Sequence, residues 1–283
     1  MGGRIRLPCQ AGSFYASSEG LLREQIEACF LHEFGPGRLP KVGENESRRV
    51  LSLISPHAGY MYSGSVASNG FYYLAEDGRP DTIILLGPNH TGYGSGVSIM
   101  MEGVWRTPLG DVSVDSELAK EIQRFSAFLD VDEGAHLYEH SIEVQLPFLQ
   151  YVYDTIPFVP ICMMMQDLEV SRDVGRAIAR AVTGKNISII ASTDFSHYEP
   201  QSIAETKDGA ALDAISRLDE VGLQKVVEAR AISMCGYGPV SAAIVASKEL
   251  GAETAVRLQY KTSGDVTGDK TRVVGYASVA IVK

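Results

Sequence analysis

Four short runs of almost unbroken apolar, β-branched sequence constrain this chain most. They are Arg49 to Ser55 (RVLSLIS), Thr82 to Leu86 (TIILL), Phe158 to Met163 (FVPICM) and Ile187 to Ser192 (ISIIAS). A strand with one wet face alternates apolar and polar residues, whereas an unbroken run needs cover on both faces. Helices are read over Ser63 to Ala75, Asp115 to Ser126, Tyr138 to Val152 and Leu168 to Val182. That alternation predicts an α/β sandwich with a largely parallel central sheet. Val97 to Met101 and the segment around Val112 are read as an inserted hairpin, with turn residues at Thr107 to Gly110. Ala255 to Thr262 and Val273 to Val282 alternate with period two around a turn-rich Ser263 to Gly268, so an antiparallel hairpin should make the sheet mixed. A helix around Glu19 to Phe34 precedes the linker-like Gly35 to Ser47. Too little lies before that linker for an independent unit, and residues 1–283 are expected to form a single domain.

Charge and cysteine usage narrow the function classes. The formal net charge is −10 and no Lys/Arg stripe is visible, which argues against a nucleic-acid surface. No apolar run reaches the roughly 18 residues of a membrane span. The opening Met1-Gly2-Gly3-Arg4-Ile5-Arg6 has no apolar leader core. Cys9, Cys29, Cys162 and Cys235 are far apart with no CxxC, so a disulfide framework is not expected. A cytoplasmic location is the resulting expectation. Gly92 to Gly96 precedes a strand instead of opening a helix, so it is no dinucleotide fingerprint. No GxxxxGK[ST] or GxSxG motif occurs.

The histidines carry the chemistry. His57 (SPHAGY), His90 (GPNHTG) and His197 (STDFSHY) each follow a buried strand by a few residues. Parallel strands would bring those loops to one sheet edge, where open α/β folds build ligand sites. A single such histidine is as readily a hydrogen-bonded turn residue; three in similar loops point to a shared site for a metal, an acid/base pair, or both. His136 and His140 are four apart and would share a helical face with Glu143, although the HLYEH spacing lacks the zincin HExxH pattern, and a capping role for His136 is an equal reading. Cys235, in MCGYGP ahead of a helix from about Val240 to Leu250, suits a metal thiolate or a nucleophile. The other three cysteines read as small buried hydrophobes. Phe14, Tyr60, Tyr62 and Tyr198 lie close to these residues and are read as cleft lining.

The segments AGSFY (11–15), PHAGY (56–60), PNH (88–90), EHSIEVQLPFL (139–149), STDFSHY (192–198) and CGYGP (235–239) together resemble the Memo family, named for a mediator of cell motility in animals. The match runs in order along nearly the whole chain. That family in turn resembles the class III extradiol dioxygenases, non-haem iron enzymes, which implies a three-layer α/β/α fold. Carried over by position, the resemblance implies that His57 and His90 are metal ligands, with Cys235 standing where the dioxygenases place a carboxylate. It implies that His197 is the acid/base histidine, with Asp194 beside it in the cleft and His140 a further site residue. A thiolate in place of the carboxylate softens the site, favouring copper, zinc or a redox-tuned iron over the hard Fe(II) triad, and argues against ring cleavage.

Three function classes follow. The leading one is a metal-dependent redox protein using Fe(II) or copper, with zinc as the alternative ion. The second is a non-catalytic module that takes metal, a small molecule or a peptide in its cleft, as animal members of the family are thought to do. Bacterial and archaeal relatives tend to be encoded near radical-enzyme partners, which implies an accessory role. The third is a Cys/His hydrolase with Cys235 as nucleophile. The oligomeric state stays open.

Overall fold

The computed structural model describes residues 4–45 and 47–283; the opening Met1-Gly2-Gly3 and Glu46 of the linker lie outside the described residues. In chain order the first elements are β1 (Ile5–Arg6), α1 (Glu19–Leu31), β2 (Val50–Ser55), α2 (Tyr60–Glu76) and β3 (Thr82–Pro88). Next come β4 (Val97–Ile99), β5 (Val104–Thr107), β6 (Gly110–Ser113), α3 (Ser116–Phe125) and β7 (Asp130–Val131). The middle holds α4 (Leu146–Tyr153), β8 (Phe158–Met163), α5 (Leu168–Ala181), β9 (Ile187–Ser192) and β10 (His197–Glu199). The rest is α6 (Gln201–Ser216), α7 (Glu220–Ala229), α8 (Tyr237–Glu249), β11 (Thr254–Thr262), α9 (Ser263–Thr267) and β12 (Val273–Val282).

The main sheet runs β10-β12-β2-β9-β3-β8-β4-β7, with β11 also on β12. Strands β2, β9, β3 and β8 are mutually parallel, while β12 and β4 run antiparallel to their neighbours in that block. The result is a mixed, largely parallel sheet in a three-layer α/β/α sandwich. Side chains alternate between two cores along each central strand, as a pleated backbone dictates. Ile84, Leu86, Ile189 and Ala191 join the core under α3, α5, α7 and α8. Ile83, Leu85, Ile190 and Leu53 join the opposite core with residues of α1, α2 and α4. Both faces are dry, which is why these strands read as unbroken apolar runs. Among the described residues no helix is long and apolar enough to cross a membrane.

Three sequence readings need correction. The inserted hairpin pairs β5 with β6 across Pro108-Leu109, not Val97–Met101 with the Val112 segment; β4 instead lies in the main sheet between β8 and β7. The turn-rich Ser263 to Gly268 forms the short helix α9, closed by a capping box between Thr262 and Asp265. The continuous helix expected over Tyr138 to Val152 begins only at Leu146, because Pro147 fits a first helical turn but not a helix interior. Ahead of it lie two short 3₁₀ turns, Gly134–His136 and Glu143–Gln145. The Glu139 carboxylate turns back onto the His140 and Ser141 amides, both at 2.8 Å, which competes with helical pairing.

His136 and His140 therefore share no helical face. His136 is fully buried with its ring edge-on to Trp105, centroids 5.8 Å apart, and neither caps a helix nor joins the other histidines. Among the described residues neither ring nitrogen meets a hydrogen-bond partner; the Ser98 backbone that faces the ring lies outside bonding geometry. Burial, helped by the Arg6 charge, pushes its imidazole down from 6.5 to about 4. As pH falls through 6.5 the unfolded chain takes up this proton and the folded chain does not, so stability drops between those two values. The loss expected by pH 4 is about 3 kcal/mol. Urea unfolding of wild type and His136→Phe at pH 7 and pH 4.5 checks it. The Phe variant should lose less on acidification, and equal losses would remove His136 as a cause.

Candidate metal centre

The parallel block sets the site. His57, His90 and Asp194 each stand two residues beyond the carboxyl end of a strand, after Ser55 of β2, Pro88 of β3 and Ser192 of β9. Adjacent parallel strands bring the three loops to one edge of the sheet. Cys235 arrives from the helical side, immediately before Gly236, which caps the N-terminus of α8. A Cβ on Gly236 would sit 2.4 Å from the Ser192 carbonyl oxygen, so only glycine lets this loop press against the end of β9. The Cys235 amide donates to the Asp194 carbonyl at 3.2 Å, and the Asp194 amide donates to Cys235 Sγ at 3.2 Å. Gln166 Nε2 holds the Cys235 carbonyl at 2.9 Å.

One donor atom from each of His57, His90 and Cys235 lies within 4.8 Å of the others, and His57 Nε2 is 3.3 Å from Cys235 Sγ. Bonds of about 2.0–2.3 Å to one ion span a little over 4 Å, so small shifts close this set on a metal. The hydrogen bonds behind the rings choose their tautomers. Ser192 Oγ donates its only proton to the Ser141 carbonyl at 2.6 Å and accepts from Gln145 Nε2 at 2.8 Å. Toward His57 Nδ1, 2.8 Å away, it must therefore accept, which puts the ring proton on Nδ1 and leaves the Nε2 lone pair facing the thiol. His90 Nδ1 donates to Glu139 Oε1 at 2.9 Å; a carboxylate only accepts, so Nε2 of His90 is also free.

Glu139, His90 and His140 form a second convergent trio. Glu139 is fully buried, and its oxygens are already occupied by the His90 amide, the His90 ring and the His140 and Ser141 amides. It stands behind the His90 ring in the arrangement by which carboxylates orient imidazoles in metal sites. Burial alone would raise its carboxyl; the His90 hydrogen bond and the neighbouring imidazoles hold it at about 2 instead. It opens the EHSIEVQLPFL segment (139–149), but nothing in its spacing marked it as the partner of His90. A Cβ on Gly87 would meet Ser141 Oγ at 2.4 Å, so this segment also docks through a glycine.

Three imidazoles crowd together, with ring centroids 4.6 Å (His90–His140), 5.2 Å (His57–His90) and 5.4 Å (His57–His140) apart. Burial first, then the like-charged neighbours, pushes His57 well below 6.5. Burial likewise takes His140 down to about 4. Neutral rings are the form that binds metals. Burial, reinforced by Asp194, raises the Cys235 thiol strongly, a bias that a bound cation reverses.

Above the cluster opens a cavity of about 820 Å³ lined by Phe14, Tyr62, His140, Asp194, His197 and Tyr198 among others. His197 Nδ1 donates to the Ser233 carbonyl at 2.8 Å, so in the neutral ring Nε2 is the nitrogen that can accept a proton. Asp194 and His197 share this cleft but no helical turn joins them, and Asp194 does not orient His197. Its carboxylate accepts the His57 amide at 2.9 Å, and burial raises it to about 6. Tyr60 does not reach the cavity: it is buried in the core beside α4 and its hydroxyl donates to the Val144 carbonyl. Sequence reasoning missed Arg272 and Tyr276, which enter from β12 and its approach. Of the other cysteines, Cys29 and Cys162 are buried, whereas Cys9 is half-buried with its thiol 3.0 Å from Glu143 Oε2.

The profile of Memo-like proteins matches residues 6–280. The chain belongs to the Memo family. A MEMO1 family protein of Methanothermobacter thermautotrophicus is 52% identical over 278 residues, covering 98% of this chain and 100% of that one. Those of Methanopyrus kandleri (50% over 277 residues, covering 97% of this chain and 98% of that one) and Methanocaldococcus jannaschii (49% over 289, covering 98% and 99%) are similarly close. Among solved structures, the uncharacterized Escherichia coli K12 protein JW3007 superposes with a TM-score of 0.53 at 16% identity, covering 82% of this chain and 100% of that one. At that identity the likeness extends to the fold. Across the Memo family profile, every residue of the cluster described above falls within the matched range.

Proposed function

We propose that this Memo-family chain is a metal protein that holds iron or copper through His57, His90 and Cys235 and acts on a ligand in the cleft above them. The observation that carries this reading is the pair of imidazoles whose Nδ1 atoms are tied to Ser192 and Glu139 while a donor atom of each ring lies within 4.8 Å of the Cys235 thiol. Two imidazoles and a thiolate suit copper, zinc and iron better than hard, oxygen-loving cations. A bound iron or copper ion would supply one-electron and O₂ chemistry. The chain's own part is to receive the ligand between Phe14 and Tyr62 and take a ligand hydroxyl proton on His197 Nε2. The 3.3 Å contact between Cys235 Sγ and His57 Nε2 also permits a Cys/His hydrolase reading. Burial disfavours that ion pair from both sides, raising the thiol and lowering the imidazole.

Elemental analysis of protein purified without added metal tests the proposal. Wild type should carry about one ion per chain, His57→Ala and Cys235→Ser should lose it, and His197→Ala should keep it. Loss in His197→Ala equal to that in His57→Ala would make His197 a ligand. Metal-free wild type whose Cys235 is labelled equally with and without chelator would favour the hydrolase. Because the thiolate competes with a charged ligand for the ion, oxygen uptake with simple catechols should be slight in wild type. Cys235→Glu, run alongside, asks whether the ligand change is what redirected the chemistry; robust wild-type turnover would make this a ring-cleaving dioxygenase.

A further inference from the structure

We propose that Arg272 and Tyr198 form an oxyanion subsite at the cavity mouth, so that the ligand is an aromatic acid bearing a carboxylate or phosphate. The inference rests on the cleft being the ligand site and deepens that reading by naming the ligand's chemistry. Arg272 lines the same cavity as His57, His90 and His197. Among the described residues no carboxylate lies within 4.0 Å of its guanidinium, whose nearest aromatic contact is the Tyr198 ring. Asp269, the acidic residue nearest in sequence, has its Oδ1 engaged by the Thr271 amide at 2.9 Å and the Thr271 hydroxyl at 2.6 Å. Lys207, the cation on the other side of β10, is bound to Glu199. Arg272 is thus the one Lys or Arg among the described residues lining the cavity, and it is not in salt-bridge contact with Asp269 or Asp194, the two carboxylates that line it too.

The backbone beneath it is built to hold that charge in place. Strand β10 pairs with β12 through His197 opposite Val274 and Glu199 opposite Val273, with a bulge between them. Tyr198 is the bulged residue, in the left-handed region at φ 59°, a conformation costly for an aromatic side chain. Bulges re-aim side chains, and here the ring is turned outward, 65% exposed, with the Arg272 guanidinium carbon 5.5 Å from its centre. Stacking on a ring presets the guanidinium plane while leaving its N–H edge to meet a planar or tetrahedral oxyanion. Phe14, Tyr62 and Tyr276 line the same cavity and supply apolar surface for a ring between the rim and the histidine cluster. A ligand spanning the two would place its ring among these aromatics and its acidic group on Arg272.

Calorimetric titration of the full chain with 4-hydroxybenzamide, 4-hydroxybenzoate and phenyl phosphate tests this, on metal-free and iron-loaded protein. An acid should bind about tenfold more tightly than the neutral amide, and added salt should shrink the gap. Arg272→Gln should bring acid and amide to within about twofold without changing amide affinity or metal content. Tighter binding of phenyl phosphate than of 4-hydroxybenzoate assigns the subsite to phosphate, and the reverse assigns it to carboxylate. Acid and amide of equal affinity in wild type, a preference that survives Arg272→Gln, or no acid bound at millimolar concentration would each overturn the subsite. The two readings fail separately. A wild type that takes up metal but ignores the acid group keeps the metal proposal alone, and an Arg272-dependent acid preference without metal uptake keeps the subsite alone.

Discussion

Replacing Glu139 by Gln is expected to weaken metal binding by about 10- to 100-fold, the range for losing the group behind a histidine ligand. The carboxylate does two things that an amide cannot. Oε1 receives the proton of His90 Nδ1, which leaves Nε2 as the nitrogen a metal would take, and Oε2 receives the His90 backbone amide. A glutamine must present an NH₂ to one of these donors, so either the ring or the loop loses its anchor. Since the His90 contact holds the carboxyl at about 2 despite its burial, Glu139 is ionised throughout the useful range. Its contribution to stability is complete above about 4.5 and is lost as pH falls toward 2. Competition against a chelator of known affinity measures the binding change, and thermal unfolding of the metal-free variant separates it from loss of fold. A Gln variant that folds and binds metal like wild type would show that Glu139 is a structural acid only.

The second large effect is on stability. Arg6→Met or Glu143→Gln should each destabilise the fold by about 3–5 kcal/mol, the usual cost of leaving one member of a buried ion pair alone. The two form a salt bridge with side chains 2% and 0% exposed. Arg6 also donates to the His136 carbonyl at 3.1 Å and the Glu139 carbonyl at 2.7 Å, with its guanidinium carbon 4.3 Å from the Trp105 ring centre. Glu143 collects the amides of Cys9 and Gln10, both at 2.9 Å, and the Tyr15 hydroxyl. The pair thus ties the N-terminal segment to the stretch that carries Glu139 and His140. Chemical unfolding of the single variants and of Arg6→Met/Glu143→Leu would check it. The double variant should recover most of the loss, because no unpaired charge remains buried. Additive losses would show that the two residues stabilise the fold independently.

Much of this was legible in the residues. Unbroken β-branched runs can be satisfied only by strands covered on both faces, so β2, β3, β8 and β9, their parallel order and the layered architecture follow from local composition and the period of the pleat. The spacing that places His57, His90 and Asp194 two residues past their strands is also a linear fact, and parallel strands turn it into proximity. The stretch from Gly134 to Gln145 was not legible. Its apolar spacing suits a helix, yet a buried carboxylate that bonds its own backbone, together with Arg6 holding two of its carbonyls from across the chain, outweighs that local preference. Tyr60 and Tyr62 lie two residues apart on α2, about 200° around the helix, so they face opposite ways; the contacts with α4 decide that Tyr60 is the core residue and Tyr62 the cleft wall. Residue chemistry named the donors. The tautomers that make them usable, the glycines that let their loops approach, and the unpaired Arg272 at the rim arise from contacts between segments dozens to more than a hundred residues apart, which no local pattern encodes.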